Sequence, residues 1–229
     1  AALLRTARAE HARLVGSAIA YAPNDPALID RLRADIAAHD GDVAVRYRDG
    51  VRQVPRWEEL SGLDLSEQTT SHDDASGLLG ARDAVWITGG LGGIGRILAR
   101  WFGRIDGVRV VLSGRSAPDE AGEQWLRAAW QDGIAVDYLR CDIANRADVD
   151  AALASDALRG LRGIVHCAGT LRDGYLARKT PAEIEAVFAP KVAGTLVLDD
   201  ATRDLPLAFF ALYSSFAAVL GNPGQADYA

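Results

Sequence analysis

A chain of 229 residues, 49% of them hydrophobic and 24% charged, is long enough to bury a full core and suits one large domain, or one domain and part of another. The formal net charge of -6, with both signs interspersed, excludes the clustered Lys and Arg of a nucleic-acid surface. No apolar run reaches the roughly 20 residues of a membrane helix and no secretory signal opens the chain, so a cytoplasmic setting is expected, with no membrane or nucleic-acid partner. Neither Cys141 nor Cys167 has the Cys or His spacing of a zinc site, and the neighbours His166 and Cys167 cannot alone make a tetrahedral shell. Reduced, mostly buried thiols and no metal are expected.

In chain order, a helix is predicted from Ala2 to about Ala12, a strand over Gly16 to Tyr21 and a helix from Pro26 to Ala38. A hairpin follows, Val43 to Tyr47 and Val51 to Val54, joined by Arg48-Asp49-Gly50, where Asp-Gly is a strong turn signal. This is part of an α/β unit with no glycine fingerprint of its own, and a structural role is assigned to residues 1–65. The polar stretch Ser66 to Gly77 has no apolar periodicity, so 66–82 reads as a linker or surface loop.

From Ala84 onward strands and helices alternate. Strands are predicted at Ala84 to Ile87, Val108 to Leu112, Ile134 to Leu139, Gly163 to Cys167 and Leu207 to Ser214. The intervening helices reach about Ile105, run from Pro118 to about Gln131, lie near Ala147 to Leu153, and extend from Pro181 to about Thr202. Pro181 falls in a first turn, where its missing donor costs little. Five strands with helical crossovers predict a doubly wound parallel sheet over 83–229, with a ligand site beyond the carboxyl ends of the strands.

The first crossover carries the most informative motif, Thr88-Gly89-Gly90-Leu91-Gly92-Gly93-Ile94-Gly95, set between a buried strand and an amphipathic helix. Such a turn cradles a pyrophosphate: the chain turns sharply, the backbone nears the phosphates, and the helix packs on the sheet, so side chains at Gly90, Gly92 or Gly95 would obstruct one of these. Free N–H groups and the dipole at the helix start favour the anion. At the end of the second strand, Leu112-Ser113-Gly114-Arg115-Ser116 lacks the carboxylate that would hold the ribose 2′-hydroxyl of NAD. Arg115 offers a planar cation and Ser116 a hydroxyl to a 2′-phosphate, which favours NADP, with Ser113 beside them. In Cys141-Asp142-Ile143, the carboxylate can meet an adenine amino group or cap the following helix, two readings of equal weight.

The glycine turn, Asp142, the segment His166-Cys167-Ala168-Gly169, and Tyr213-Ser214-Ser215 followed by Gly224-Gln225-Ala226-Asp227-Tyr228 occur in an order that resembles the short-chain dehydrogenase/reductase superfamily. More narrowly, the chain resembles the ketoreductase domains of modular polyketide synthases over essentially its whole length. Lys191, in Pro190-Lys191-Val192-Ala193-Gly194, stands where free-standing relatives usually carry Asn, the exchange typical of these domains; the matching Asn would fall beyond Tyr228. The start Leu3-Leu4-Arg5-Thr6 is similar to the latter half of the cofactor-free subdomain that precedes the catalytic one in that family. With no Met, an Ala1-Ala2 start and a Tyr228-Ala229 end, the chain reads as an excerpt whose catalytic subdomain is incomplete at its C-terminus, and a chain truly ending there is expected to be inactive.

The resemblance implies NADPH as hydride donor and a β-ketoacyl group tethered to an acyl carrier protein as substrate, among neighbouring polyketide synthase domains. It further implies that Tyr228 protonates the carbonyl oxygen, Ser215 hydrogen-bonds it and Lys191 supports Tyr228, the spacing of the three matching the family's usual intervals. The adjacent Ser214 is not the serine that touches substrate. The chemistry agrees, since donors already aimed at the oxygen stabilise the charge that builds there as hydride arrives. In Leu171-Arg172-Asp173, Asp173 matches the last Asp of a Leu-Asp-Asp signature of B-type domains, which make a D-configured hydroxyl, although Arg172 departs from it. The place of the A-type Trp holds Leu220, which leans the same way. Taken singly, each of these residues could be a cap, a turn or a solvated face. The alternatives are a catalytically silent scaffold or epimerising relative, against which the intact Tyr228, Ser215 and Lys191 argue, and a methyltransferase, disfavoured by Arg115.

Overall fold

The computed structural model describes residues 1–38, 41–59 and 77–229. Most of the expected linker lies outside the described residues; its end, residues 77–82, is packed, with Leu79 buried and the Arg82 N–H bonded to the Gly107 carbonyl at 2.8 Å. The chain divides into two units, one formed by Ala1–Leu63, Leu171–Ile184 and Ser214–Ala229, the other by Asp64–Thr170 and Glu185–Tyr213.

The larger unit holds five parallel strands, β4 (Ala84–Thr88), β5 (Arg109–Gly114), β6 (Val136–Arg140), β7 (Leu161–His166) and β8 (Phe209–Leu212), in the order β6-β5-β4-β7-β8. The expected doubly wound sheet is present, each strand within about two residues of its predicted limits. Its central strand is buried throughout, and apolar up to Thr88 at its end, because both faces are covered. Val85, Ile87, Val110 and Leu112 point to one face and pack with Ala99 and Phe102 of α3 (Gly93–Phe102) and Ala129 of α4 (Glu120–Gln131). Trp86, Val111 and Ile164 point to the other, against Val149 of α5 (Arg146–Leu153) and Leu198 of α7 (Gly194–Thr202). The period of two along each strand thus builds two separate cores.

The long helix expected from Pro181 to Thr202 is interrupted. It starts as α6 (Pro181–Phe188), passes through a π turn at Ala189–Ala193 and resumes as α7. The cause is Pro190, which has no N–H for the helical ladder and whose ring crowds the carbonyl of the preceding turn. Lys191 therefore projects from a widened turn rather than from a regular helix face.

The other unit carries α1 (Ala2–Glu10), α2 (Leu28–Ala38) and a small mixed sheet in which β1 (Ala18–Ala20) runs parallel to β2 (Ala44–Arg48) and β2 antiparallel to β3 (Val51–Gln53). At the hairpin, Asp49 and Gly50 have φ of 50° and 79°, the paired positive values of the tight turn that Asp-Gly favours. The unit also contains α8 (Ala217–Leu220), pinned to α1 by Arg5 on the Val219 carbonyl and by the Asn222 N–H on Thr6 Oγ1 at 2.9 Å. Among the described residues no helix is long and apolar enough to cross a membrane.

Candidate active site

β4 ends at Thr88 and the chain turns through Gly89 to Gly92 into α3. Gly89 has φ +66°, and a Cβ there would stand 2.7 Å from Ala168 Cα, so both the conformation and the close approach require glycine. A Cβ at Gly95 would lie 2.5 Å from the Gly90 carbonyl oxygen, where α3 packs on the turn. At Gly90 the obstacle is Leu112 of β5 at 2.5 Å. Gly92 is less crowded, its nearest atom being the Gly89 oxygen at 3.1 Å, and Gly93 faces open space. The expectation of obstruction therefore holds for Gly90 and Gly95, is weaker for Gly92, and passes over Gly89, where a positive φ and a close backbone contact coincide.

Beyond the strand ends lies a cleft of about 230 Å³. Of the residues picked out from the sequence, Gly89, Ser113, Arg115, Cys141, Asp142 and Ile143 line it, as do Ala168 and Gly169. Thr170, Ala189 and Pro190 also line it and were not anticipated, because the π turn that brings the last two there is not visible as a pattern. Thr88, Gly90, Leu91, Gly92, Gly93, Ile94, Gly95, Ser116 and Cys167 are not among the lining residues. The Ser113 hydroxyl turns into the core, where it accepts the Trp86 indole N–H at 2.8 Å, and the Ser116 carbonyl accepts the Tyr138 hydroxyl at 2.7 Å. Arg115 is exposed, with its guanidinium in no ion pair among the described residues, and Arg140 donates to its carbonyl at 3.2 Å, which sets a second guanidinium stem at this strand end.

The two readings of Asp142 separate. α5 is capped by Asn145, whose side chain accepts the Ala147 N–H at 2.9 Å. Asp142 Oδ1 instead takes the Ala144 N–H at 3.1 Å in a local turn while the residue borders the cleft. Burial pushes the Cys141 thiol up to about 12 and the Cys167 thiol up to about 11, so both are inert at neutral pH.

Lys191 Nζ donates to the Tyr213 carbonyl at 2.9 Å. Burial holds its ammonium below the usual lysine range, and Cys167 acts the other way. A Cβ at Gly169 would come within 3.0 Å of Lys191 Cε, so the last glycine of the His166 to Gly169 segment clears the path of this side chain. His166, at the end of β7, is 1% exposed; burial first, then the charge of Lys191, lowers its pKa to about 4, while the bond to the Pro190 carbonyl acts in the opposite sense. Since an unfolded histidine titrates near 6.5, the neutral ring contributes fully to stability above that pH, and the contribution is lost as pH falls towards 4. At 1.36 kcal/mol per pH unit the loss is about 3 kcal/mol. Denaturant unfolding at pH 7 and pH 4 is expected to show this extra acid loss in the natural chain and not in His166→Gln; equal losses would refute it.

In the other unit, Ser215 Oγ accepts the Ala217 N–H at 3.2 Å, which leaves the hydroxyl proton free to donate. Tyr228 is half-buried, with its N–H on the Gln225 carbonyl at 3.0 Å and no bond from its hydroxyl to any described residue. Asp173 Oδ1 accepts the Gln225 side-chain N–H at 3.0 Å, and Leu220 on α8 is half-exposed. The side chains of Lys179 and Asp227, each 2% exposed, pair at 2.7 Å. Glu10 of α1 accepts the N–H of Leu176 at 2.6 Å and that of Gly224 at 2.8 Å. These last three residues, which bind the 171–180 loop to the segment leading into Tyr228, carry no local signal in the sequence.

The family model described as KR domain matches residues 84–229, the whole stretch that builds the sheet, the cleft and the positions of Lys191, Ser215 and Tyr228. The chain belongs to the KR family, the ketoreductase domains of modular type I polyketide synthases. Polyketide synthase PksL of Bacillus subtilis (strain 168) is 38% identical to this ketoreductase over 232 residues, covering 99% of this chain and 5% of the relative. Polyketide synthase ThaG of Burkholderia thailandensis is 46% identical over 176 residues, 75% of this chain and 3% of ThaG. The crystal structure of a ketoreductase domain from the bacillaene assembly line superposes with a TM-score of 0.81 at 32% identity, covering 99% of this chain and 53% of that one. The chain thus spans about half of that solved structure and a small fraction of the curated relatives. Ketoreductases of this family use a nicotinamide cofactor.

Proposed function

We propose that this ketoreductase reduces the β-keto group of an acyl thioester, carried on the phosphopantetheine arm of an acyl carrier protein, to a D-configured β-hydroxyl at the expense of NADPH. It does so in the cytoplasm, beside the other domains of a polyketide synthase. The observation that carries this reading is the placement of Lys191: the π turn delivers its ammonium to the carbonyl of Tyr213, which in the chain stands directly before the Ser214-Ser215 pair.

The fit to the cofactor rests on the cleft and its glycine turn. Gly89 and Gly95 leave the turn free of side chains, the first N–H groups of α3 have no intrahelical partners, and Asp142 lines the same cleft. Arg115 would hold a 2′-phosphate, with Arg140 adding charge at the same strand end. When bound, NADPH supplies the hydride that attacks the ketone carbon. Ser215 donates its free proton as a hydrogen bond to the carbonyl oxygen, Tyr228 transfers its phenolic proton to that oxygen, and Lys191 supports the phenolate left behind. One hydride on carbon and one proton on oxygen complete the alcohol. Asp173, held by Gln225, and Leu220 in place of Trp favour the B-type face.

A β-ketoacyl thioester given to the intact polypeptide with NADPH, and separately with NADH, tests all of this by chiral analysis of the alcohol. A D-hydroxyl made with NADPH is expected, and Arg115→Ala should weaken NADPH by about 10- to 100-fold, the worth of a charged hydrogen bond, with little change for NADH. No alcohol would overturn the function, an L-hydroxyl the facial assignment, and an unchanged NADPH preference in Arg115→Ala the role of that residue.

A further inference from the structure

We propose that His166 is a positioning residue for Lys191: it fixes the π turn through the Pro190 carbonyl and ties it to the end of the cofactor-turn strand through Thr88. The proposal rests on the reading of Lys191 given above.

The hydrogen-bond polarity follows from the partners. His166 Nε2 lies 3.0 Å from the Pro190 carbonyl oxygen, which can only accept, so Nε2 bears the proton. Nδ1 is then bare and accepts the hydroxyl proton of Thr88, 2.6 Å away. The Thr88 oxygen in turn faces the Ala168 N–H at 3.4 Å. The ring is thus fixed in one tautomer by a group on each side. Burial and the Lys191 charge both favour the neutral ring, the state in which Thr88 is the donor of this bond and Pro190 the acceptor of the other.

Two routes from His166 meet at Lys191. The side chain holds the carbonyl of Pro190, the residue just before Lys191, at the point where proline has removed a rung of the helical ladder. The main-chain oxygen accepts the Tyr213 N–H at 3.1 Å, and the carbonyl of that same Tyr213 receives Lys191 Nζ. One residue therefore sets both the base from which Lys191 projects and the strand register of the oxygen it reaches. Within a β-strand end that needs only a buried, satisfied side chain, an apolar residue would serve as well; the matched donor and acceptor distances are what a positioning role adds.

The test compares His166→Gln, His166→Asn and Lys191→Ala in the intact polypeptide, with NADPH affinity, thermal stability, kcat and the pH profile of kcat measured for each. Glutamine is long enough to set its amide N–H near the place of Nε2, which faces the Pro190 carbonyl, whereas the shorter asparagine extends only to the place of Nδ1, which faces Thr88. His166→Asn is expected to lose about 10- to 100-fold in kcat with NADPH affinity within about threefold, and its alkaline limb should move to higher pH, as in Lys191→Ala, because the phenolate is less well supported. His166→Gln should recover most of the lost turnover and the natural limb. Equal kcat and equal limbs in the Gln and Asn variants, with Lys191→Ala slowed and its limb moved to higher pH, would overturn the relay alone. Full turnover in Lys191→Ala would overturn the reading of Lys191 instead.

Discussion

Tyr228→Phe should lower kcat for ketone reduction by about 10³-fold, within the range by which a positioned proton donor accelerates such a step, and leave NADPH binding and thermal stability nearly unchanged. The substitution removes one hydroxyl from a half-buried ring, and that hydroxyl bonds no described residue, so no buried partner is orphaned. The segment is held instead by its backbone, through the Tyr228 N–H on Gln225 and the Gly224 N–H on Glu10. The cleft proposed for the cofactor is lined by other residues, from Gly89 to Pro190, and none of them is altered. A loss confined to kcat would mark an interaction made only in the transition state. Turnover within threefold of the natural protein would remove Tyr228 as the acid.

Much of this was legible because it is local. The apolar strand Ala84 to Ile87, the glycines after it and the amphipathic helix beyond them are consecutive, and their conformation is decided by neighbours in sequence. The alternation of strands and helices after Ala84 placed the sheet, and with it the cleft at its carboxyl edge. The features that escaped are set by tertiary partners. The Ser113 hydroxyl could point either way until Trp86 was seen to claim it, and the helical pattern from Pro181 to Thr202 runs on through Pro190, hiding the π turn on which the direction of Lys191 depends. The helix-cap reading of Asp142 failed because Asn145 does that work. Glu10 shows the limit most clearly: a helix-end carboxylate from the N-terminal segment, read as merely structural, holds two loop N–H groups of the segments around Tyr228.

Breaking the Lys179–Asp227 pair should be the most destabilising single change in the smaller-sheet unit. The two side chains are each 2% exposed and 2.7 Å apart, and Lys179 also donates to the Arg172 carbonyl. Removing one partner leaves the other charge buried without its counter-ion, which costs about 3–5 kcal/mol, whereas replacing both by apolar groups of similar size is close to neutral. Asp227→Ala is therefore expected to lower the melting temperature by about 10 °C, at the roughly 2–4 °C per kcal/mol of a domain this size, and Lys179→Met with Asp227→Leu together should restore most of it. Activity should not follow stability in the double variant. Lys179 fixes the end of the 171–180 loop and Asp227 immediately precedes Tyr228, so the apolar pair keeps the fold while loosening the alignment of the proton donor with the loop that carries Asp173. Recovered melting temperature with kcat still reduced about tenfold would assign the pair to alignment; recovery of both would confine it to stability, and a single variant melting within 1 °C of the natural protein would show that the ion pair holds neither.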